Sequence, residues 1–332
     1  MKKLDGTLED SVARLLEVKN LSAGIKRGEK ILKAVDSVNF HINEGEILGL
    51  AGESGCGKTM TALSIANLLP HTVKILDGEI IFNGKDLTHL SEKQMCAVRG
   101  KEISVIFQEL RESLNPLLKI GSQIAESLEL AGNRDRESNK KRVIEILCAL
   151  GFEEPEKTFN AYPHQLSGGM CQRVITAIAA ICRPRLLLAD EPSSALDEES
   201  QNKIMSLLLD LNRDFNTSVL VISHDLSVIR KYCSRYLVMY AGKIAEEGQA
   251  GSFFSPLHPY THALVGAIPN HEKRGQSLEN IPGKVPSIED RFSGCPFAPR
   301  CRKAEKICGE TFPPAIETGD GKVYCFFPNK AF

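Results

Sequence analysis

Residues 46–59 read EILGLAGESGCGKT, an apolar run that leads into a glycine-rich octet. The apolar run is typical of a buried strand, and the sequence KTMTALSIANLL, which begins at Lys58, is typical of a helix. The octet between them, Gly52 to Thr59, fits the pattern G-x-x-x-x-G-K-[ST] of a phosphate-binding loop. A chance glycine turn before a helix is the alternative, and it would not account for both flanking elements.

The octet predicts a nucleotide site, and the chemistry of phosphate binding explains why each residue type is present. Its glycines let the backbone wrap closely, so that successive N–H groups and a helix N-terminus face an anion. Lys58 would meet the β- and γ-phosphates of ATP, and Thr59 would ligate Mg²⁺. The candidate nucleotide-binding residues of the loop are Gly52, Glu53, Ser54, Gly55, Cys56, Gly57, Lys58 and Thr59.

Further along the chain, short β-rich runs alternate with helical patterns, which predicts an α/β fold. Besides the first run, ISVIF (103–107), RLLLAD (185–190) and SVLVIS (218–223) are typical of buried strands. Each run ends beside a polar or glycine-rich segment, where open α/β sheets bind ligands. Two earlier runs, 13–21 and 31–42, alternate as half-exposed antiparallel strands do, and they predict a side sheet.

RLLLADEP places two carboxylates, Asp190 and Glu191, at the end of a predicted buried strand. Alone, such a pair could be an acidic helix cap. Beside a phosphate-binding loop, we expect Asp190 to hold Mg²⁺, directly or through water, and Glu191 to polarise the attacking water.

LSGGMCQR (166–173) precedes that strand and opens a helix. Ser167, Gly168 and Gly169 place a hydroxyl and bare amides at the helix N-terminus, which predicts a second anion site. Between a P-loop and an Asp-Glu strand end, this motif resembles the signature of ATP-binding-cassette ATPases. The resemblance implies that Ser167, Gly168 and Gly169 bind the γ-phosphate held by a partner subunit, so that two cassettes dimerise head to tail.

Other motifs stand in the order of that family. Gln108 in VIFQ resembles the Q-loop glutamine, which implies a catalytic role and contact with Mg²⁺. Asp197 in SSALD resembles the D-loop, and His224 in VISHD resembles the switch histidine that contacts the γ-phosphate. Taken alone, Gln108 would be read as a solvated loop residue and His224 as a helix cap. The aromatic residue that stacks on adenine in the family would fall near Ile25, where this chain has none.

Several stretches resemble the ATPase subunits of bacterial dipeptide and oligopeptide importers: ESLNPLLKIG, YPHQLSGGM, VMYAGKIAEEG, SPLHPYTHALVGAIP and GCPFAPRC. Met170 is the form of the D-type subunit, which implies pairing with a different, F-type cassette. The further partners implied are two membrane permeases and an extracytoplasmic substrate-binding protein, with this chain peripheral on the cytoplasmic face of the membrane. Nickel and metal-chelate importers share much of the pattern, and a soluble cassette ATPase of repair, translation or cofactor assembly is a rival of another class.

We expect an ATP-binding cassette over residues 13–249, with a helical subdomain at about 115–182, and a separate, loop-rich regulatory tail over 250–332, where prolines become frequent. The net charge of −1 and the pI near 6.7 argue against nucleic acid as a partner. The acidic N-terminal stretch lacks the apolar region of a signal peptide, and the longest apolar runs fall below the roughly 18 residues of a membrane span.

Four of the ten cysteines gather in the tail with the spacing C-x5-C-x6-C-x16-C: Cys295, Cys301, Cys308 and Cys325. Disulfides are disfavoured in a reducing cytosol. Structural zinc sites use closer Cys pairs than these, whereas iron–sulfur clusters also take four cysteines. The family resemblance implies a [4Fe-4S] cluster, and zinc or no metal are the alternatives.

Overall fold

The computed structural model describes residues 13–28, 30–107, 114–193, 196–253, 255–267, 281–290 and 292–329. Its strands form two sheets. The strands, in chain order, are β1 (Arg14–Arg27), β2 (Lys30–Asn43), β3 (Ile47–Ala51), β4 (Lys74–Phe82), β5 (Lys85–Asp86), β6 (Ile103–Ile106), β7 (Leu186–Asp190), β8 (Ser218–Ile222), β9 (Arg235–Tyr240), β10 (Lys243–Gln249), β11 (Ile316–Thr318) and β12 (Gly321–Val323).

The larger sheet has the order β11-β12-β10-β9-β3-β8-β7-β6. Strands β3, β7 and β8 are buried along their whole length, as expected of apolar runs covered on both faces. They run parallel, and Ile222 at the end of β8 is in register with both Leu50 of β3 and Asp190 of β7. The loops that follow these three strands therefore leave the same edge of the sheet side by side.

The smaller sheet has the order β2-β1-β4-β5 and is antiparallel. Its inward side chains, such as Leu16 and Ile80, share a core with Leu50 of the larger sheet. This is the predicted side sheet, and it packs beside the loop that follows β3. The predicted α/β fold is confirmed.

The described residues also form ten α-helices: α1 (Lys58–Ile65), α2 (Glu92–Val98), α3 (Ile120–Leu130), α4 (Arg136–Ala149), α5 (Pro155–Asn160), α6 (Gly168–Ala180), α7 (Glu198–Phe215), α8 (Leu226–Tyr232), α9 (Pro259–Gly266) and α10 (Lys306–Glu310). Helices α3 to α6 fall within the segment expected to be a helical subdomain. Their apolar faces meet through residues such as Ile124, Leu147 and Val174. Of the helices that the structure describes, none is long and apolar enough to cross a membrane.

The tail adds strands to the larger sheet and packs on its core. Strand β12 pairs with β10, so the tail adds the last two strands to the larger sheet. Phe253, Tyr260 and Phe297 are buried in the same apolar core as Leu187 of β7. The physical reason is that the tail's few large apolar side chains need an existing core to cover them. The domain boundary at 249/250 stays a prediction.

Candidate functional site

The loop between β3 and α1 is held in a shape that only glycine adopts easily. Gly57 has φ of +109°, and a Cβ there would lie 2.5 Å from the carbonyl oxygen of Ala34. Gly52 has φ of +149°, and its Cβ would lie 2.3 Å from the carbonyl oxygen of Met239. A side chain at either position would force the loop away from the sheet, because both obstacles are backbone atoms.

Lys58 is buried at the base of this loop. Its Nζ donates to the carbonyl oxygens of Gly52, at 2.7 Å, and Glu53, at 3.0 Å. Helix α1 starts here, with no side-chain cap and no acidic residue in its first turn among the described residues. Its first N–H groups, which have no intrahelical partner, and the ammonium of Lys58 make a concentrated positive site suited to phosphate.

Asp190 lies beside this positive site, at the end of β7. Burial raises the pKa of its carboxyl, the hydroxyl of Thr59 and the charge of Lys58 oppose that rise, and Glu191 adds to it. Its Oδ1 atom is buried and has no hydrogen-bond partner among the described residues. A buried carboxylate oxygen without a partner, next to a threonine hydroxyl, is a fitting ligand for a divalent cation such as Mg²⁺.

Glu191 and His224 meet across the ends of β7 and β8. The Nδ1 atom of His224 lies 2.5 Å from Oε2 of Glu191, whose side chain is 10% exposed against 63% for His224. Glu191 has φ of +51°, an uncommon conformation for a side-chain-bearing residue, and its N–H is fixed by the carbonyl oxygen of Ile222 at 3.0 Å. Strain of this kind is often found at functional sites, and here it positions a carboxylate at the sheet edge.

The signature residues lie at another helix N-terminus. Ser167 caps α6 by accepting a hydrogen bond from the N–H of Met170 at 3.3 Å, and Gly168 and Gly169 form the first turn. Ser167 is exposed. The side-chain amide of Gln172, on the same helix, donates to the carbonyl oxygen of Pro192, which ties α6 to the loop after β7.

Three other positions singled out in the sequence have different outcomes. Gln108 lies outside the described residues. Asp197 caps α7 by accepting a hydrogen bond from the N–H of Ser200 at 2.8 Å. Ile25, at the expected adenine position, pairs with Leu32 in the β1–β2 hairpin.

Glu53 has contacts that sequence reasoning missed. Its N–H donates to the hydroxyl of Tyr260 at 2.8 Å, so this amide of the loop is already engaged. Its carboxylate accepts two hydrogen bonds from Arg300, 247 residues further along the chain. A pairing over that distance leaves no local signal in one sequence. The side chain of Cys56 is buried beneath the loop, and its Sγ accepts a contact from Nζ of Lys58 at 3.8 Å.

The four tail cysteines come together. All of them line one cavity of about 20 Å³, alongside aromatic residues such as Phe297. Burial raises the pKa of Cys295 to about 11 and also raises the pKa of Cys301 and Cys325, and neighbouring thiols add to each rise. Within the described part of the chain, no group of three or more His, Cys, Asp or Glu side chains is placed to hold a metal ion.

Comparison with known proteins agrees with the geometry. A family model described as ABC transporter matches residues 35–194. A second one, described as the C-terminal region of oligopeptide/dipeptide transporters, matches residues 245–308. The two matched segments contain the P-loop and the first three of the four tail cysteines, respectively.

Curated relatives match over nearly their whole length. The chain is 44% identical over 318 residues to the oligopeptide transport ATP-binding protein AppD of Bacillus subtilis, which covers 95% of this chain and 97% of that protein. It is 44% identical over 310 residues to the probable peptide ABC transporter ATP-binding protein y4tR of Sinorhizobium fredii, with 92% of each covered.

Among solved structures, the chain is similar to the cassette MJ0796, seen as a dimer in a post-hydrolysis state bound to ADP and Pi. The TM-score is 0.65 at 32% identity, over 71% of this chain and 98% of that one. The chain therefore belongs to the family of ATP-binding-cassette ATPases, among the ATP-binding subunits that carry the C-terminal region of oligopeptide and dipeptide transporters.

Proposed function

We propose that this chain is the ATP-hydrolysing subunit that powers import of dipeptides or oligopeptides through a membrane transporter. The proposal rests on the edge formed by β3, β8 and β7, where three features meet: a P-loop, a buried carboxylate with one oxygen that has no hydrogen-bond partner among the described residues, and a carboxylate–histidine pair. The relatives are named as peptide and oligopeptide transport proteins, which supports a peptide substrate over nickel or metal chelates, and transport over a role outside it.

ATP would bind through the α1 end of this site. The amides at the start of α1 and the ammonium of Lys58 would hold the phosphates, which requires Lys58 Nζ to turn from its two carbonyl partners toward the anion. Thr59 and Asp190 would hold Mg²⁺, which supplies positive charge to the β- and γ-phosphates. The raised pKa of Asp190 would fall once a cation lies beside it, because a positive charge favours the carboxylate.

Hydrolysis would use the pair at the ends of β7 and β8. Glu191 would accept a proton from the attacking water, whose oxygen forms the new bond to the γ-phosphorus while the bond to the ADP oxygen breaks. His224, hydrogen-bonded to Glu191 and mostly exposed, would hold Glu191 in place and contact the γ-phosphate. Gln108, which lies outside the described residues, stays the predicted contact to Mg²⁺.

The exposed N-terminus of α6 suggests that the site is completed by a second cassette. Ser167, Gly168 and Gly169 would face the γ-phosphate bound by the partner, and the partner's signature would face the P-loop of this chain. ATP would close the two cassettes and hydrolysis would reopen them. On Met170, we expect a different, F-type cassette as the partner.

The helical subdomain presents a surface suited to a permease. Leu117 is 82% exposed and Leu118 is 44% exposed, next to a groove of about 470 Å³ that includes Ser122 and Phe159. Exposed apolar side chains beside a groove are typical of a docking site. Docking there would transmit closure of the cassettes to the two permeases, and a substrate-binding protein would deliver the peptide.

The direct experiment is uptake into vesicles that contain the assembled transporter and its binding protein. Labelled dipeptides and pentapeptides are compared with ⁶³Ni²⁺, with ATP or ADP inside. Accumulation of a peptide with ATP alone supports the proposal. ATP-dependent accumulation of nickel without peptide uptake would overturn the substrate class, and an ATPase that never binds a permease would overturn the transport role.

For the tail, we propose that Cys295, Cys301, Cys308 and Cys325 hold a [4Fe-4S] cluster. Four thiols around one cavity are the donor set that such clusters take. Among the described residues no three of these side chains are arranged to hold a metal ion as they stand, so the thiols would have to move to bind the cluster. Because the cavity has room for about one water molecule, loading would have to expand it. The cluster would stabilise the tail and take no part in hydrolysis.

Metal content tests this assignment. Anaerobically purified protein should contain about four irons and four sulfides, as the cluster formula requires, and the Cys301→Ser variant should lose both. Cys148→Ser, at an exposed cysteine outside the tail, is the matched control and should keep them. Zinc alone, or no metal in the wild type, would contradict the cluster and leave the cassette assignment unchanged.

A further inference from the structure

The C-terminal tail reaches the phosphate-binding loop directly. Arg300 donates from Nη1 to Oε2 of Glu53 at 2.7 Å and from Nη2 to Oε1 at 3.1 Å, a two-point pairing of guanidinium and carboxylate. Arg300 is buried, and it also donates to the carbonyl oxygen of Pro282 at 2.7 Å and the hydroxyl of Tyr240 at 3.2 Å. These contacts fix the guanidinium, so Glu53 is held by a rigid partner.

A second tail residue holds the backbone of the same loop position. The hydroxyl of Tyr260 accepts a hydrogen bond from the N–H of Glu53 at 2.8 Å. Tyr260 is fully buried, with its ring 4.5 Å from the ring of Tyr240 and 5.2 Å from that of Phe297. Both the side chain and the amide of Glu53 are therefore set by residues of the tail.

The pairing has an electrostatic consequence for a triphosphate. The carboxylate of Glu53 lies in the loop that would surround the phosphates, and an uncompensated negative charge there would repel them. Arg300 neutralises this charge, and the charge is only partly screened because the side chain of Glu53 is 24% exposed. Loss of Arg300 would remove a contact that holds the loop. It would also leave the charge of Glu53 uncompensated, so that it repels the phosphates.

We infer that Arg300 and Tyr260 are positioning residues of the P-loop, so that the affinity of this chain for ATP depends on the docked tail. The inference rests on the proposed function only in taking ATP as the ligand. It also links the loop to the cysteine cavity, because Arg300 directly precedes Cys301 and Phe297 lines the cavity while packing on Tyr260.

The test is ATP affinity of the full-length chain, measured by displacement of a fluorescent ATP analogue. We expect Arg300→Ala to weaken binding about tenfold and Tyr260→Phe about threefold, by loss of charge-assisted and neutral hydrogen bonds respectively. Arg302→Ala, at an exposed arginine two residues away, is the matched control and should bind as the wild type does. Arg300→Lys, which keeps the charge but loses the two-point geometry, should fall between the wild type and Arg300→Ala.

A double-mutant cycle separates positioning from general support of the fold. If Arg300 acts through Glu53, Arg300→Ala should change ATP affinity less than twofold in a Glu53→Ala background. An equal loss in both backgrounds, or unchanged affinity in Arg300→Ala, would overturn the inference. If Arg300→Ala does not fold, the same cycle is run with Arg300→Lys. Peptide uptake plays no part in this readout, so a wrong substrate class would leave the result intact.

Discussion

Two helix N-termini in this chain are the proposed anion sites, and they are built in opposite ways. The start of α1 is enclosed by its own chain: Lys58 and Asp190 are buried there, and Arg300 of the tail holds the adjoining loop. The start of α6 is capped by its own Ser167, which is exposed. The first arrangement suits a site that binds nucleotide within one chain, and the second suits a surface that meets phosphate on another chain.

This difference predicts that variants at the two helix ends alter different quantities, namely ATP affinity at α1 and turnover at α6. Changes at the α1 end should alter the affinity of one chain for ATP. Changes at the α6 end should leave that affinity intact and act only in the assembled transporter, because in the proposed assembly the phosphate that this helix contacts would be bound by the partner. Variants at each helix end therefore test the two roles separately.

The largest effect on ATP affinity is expected at Lys58. Lys58→Ala removes the one ammonium that donates to the loop carbonyls of Gly52 and Glu53 in the described structure, and with it the charge closest to the phosphates. We expect at least a hundredfold loss of ATP affinity, since a charge-assisted contact inside a site of low dielectric is worth a few kcal/mol. Displacement of a fluorescent ATP analogue measures it. Affinity within threefold of the wild type would contradict the assignment of the loop.

The largest effect on turnover is expected at Glu191. Glu191→Gln keeps the size and a hydrogen-bond acceptor for His224 but cannot take a proton from water. ATP binding should stay within about threefold of the wild type, while turnover by the assembled transporter should fall by about 10²–10⁴, the range for loss of a general base. Steady-state phosphate release checks it, and normal turnover would refute the role of Glu191.

A smaller effect on turnover is expected at Ser167. Ser167→Asp preserves the helix cap, because aspartate caps as well as serine does, but its charge would repel a phosphate from the partner. Turnover of the assembled transporter should fall about tenfold or more. Ser167→Asn, a neutral side chain that also caps, is the matched control and should keep most of the turnover. Equal turnover in the two variants would mean that no phosphate meets this helix.

The smallest effect concerns a group outside both helix ends, His41 of β2. Burial lowers its pKa to about 4, and the charge of Arg235 contributes. Between pH 6.5 and pH 4 the unfolded chain binds a proton that the folded chain does not, so the free energy of unfolding falls as the pH drops through this window. In His41→Gln, the fall in Tm between pH 7.5 and pH 5 should be smaller than in the wild type by ~1–2 °C. The affinity for ATP should not change. If it changed together with the Tm, His41 would contribute to the nucleotide site as well as to the stability of the fold.

The motifs within one loop could be predicted from the sequence, because their chemistry is local. The spacing of Gly52, Gly57 and Lys58 between a strand and a helix fixes a phosphate-binding loop, and Asp190 with Glu191 ends a run too apolar to be anything but a buried strand. Parallel strands then bring these segments to one edge of the sheet, which explains why the fold prediction is confirmed.

The tail could not be predicted in the same way. Strands β11 and β12 have three residues each, too few for a period of two to emerge, and they exist because β10 offers an unpaired edge. The contacts of Arg300 and Tyr260 with Glu53 join residues more than 200 positions apart. Nothing in the local pattern of GCPFAPRC or SPLHPYTH indicates a partner in the P-loop.

The most direct test of the different roles of the α1 and α6 ends is the ATP affinity of the full-length chain, without permeases. It is measured for Lys58→Ala and for Ser167→Asp. Fluorescent-analogue displacement under one set of conditions gives both values. We expect a loss of at least a hundredfold for Lys58→Ala and a change of less than twofold for Ser167→Asp. Comparable losses in the two variants would show that the α6 end contributes to the site of its own chain, and would contradict a site shared between two cassettes.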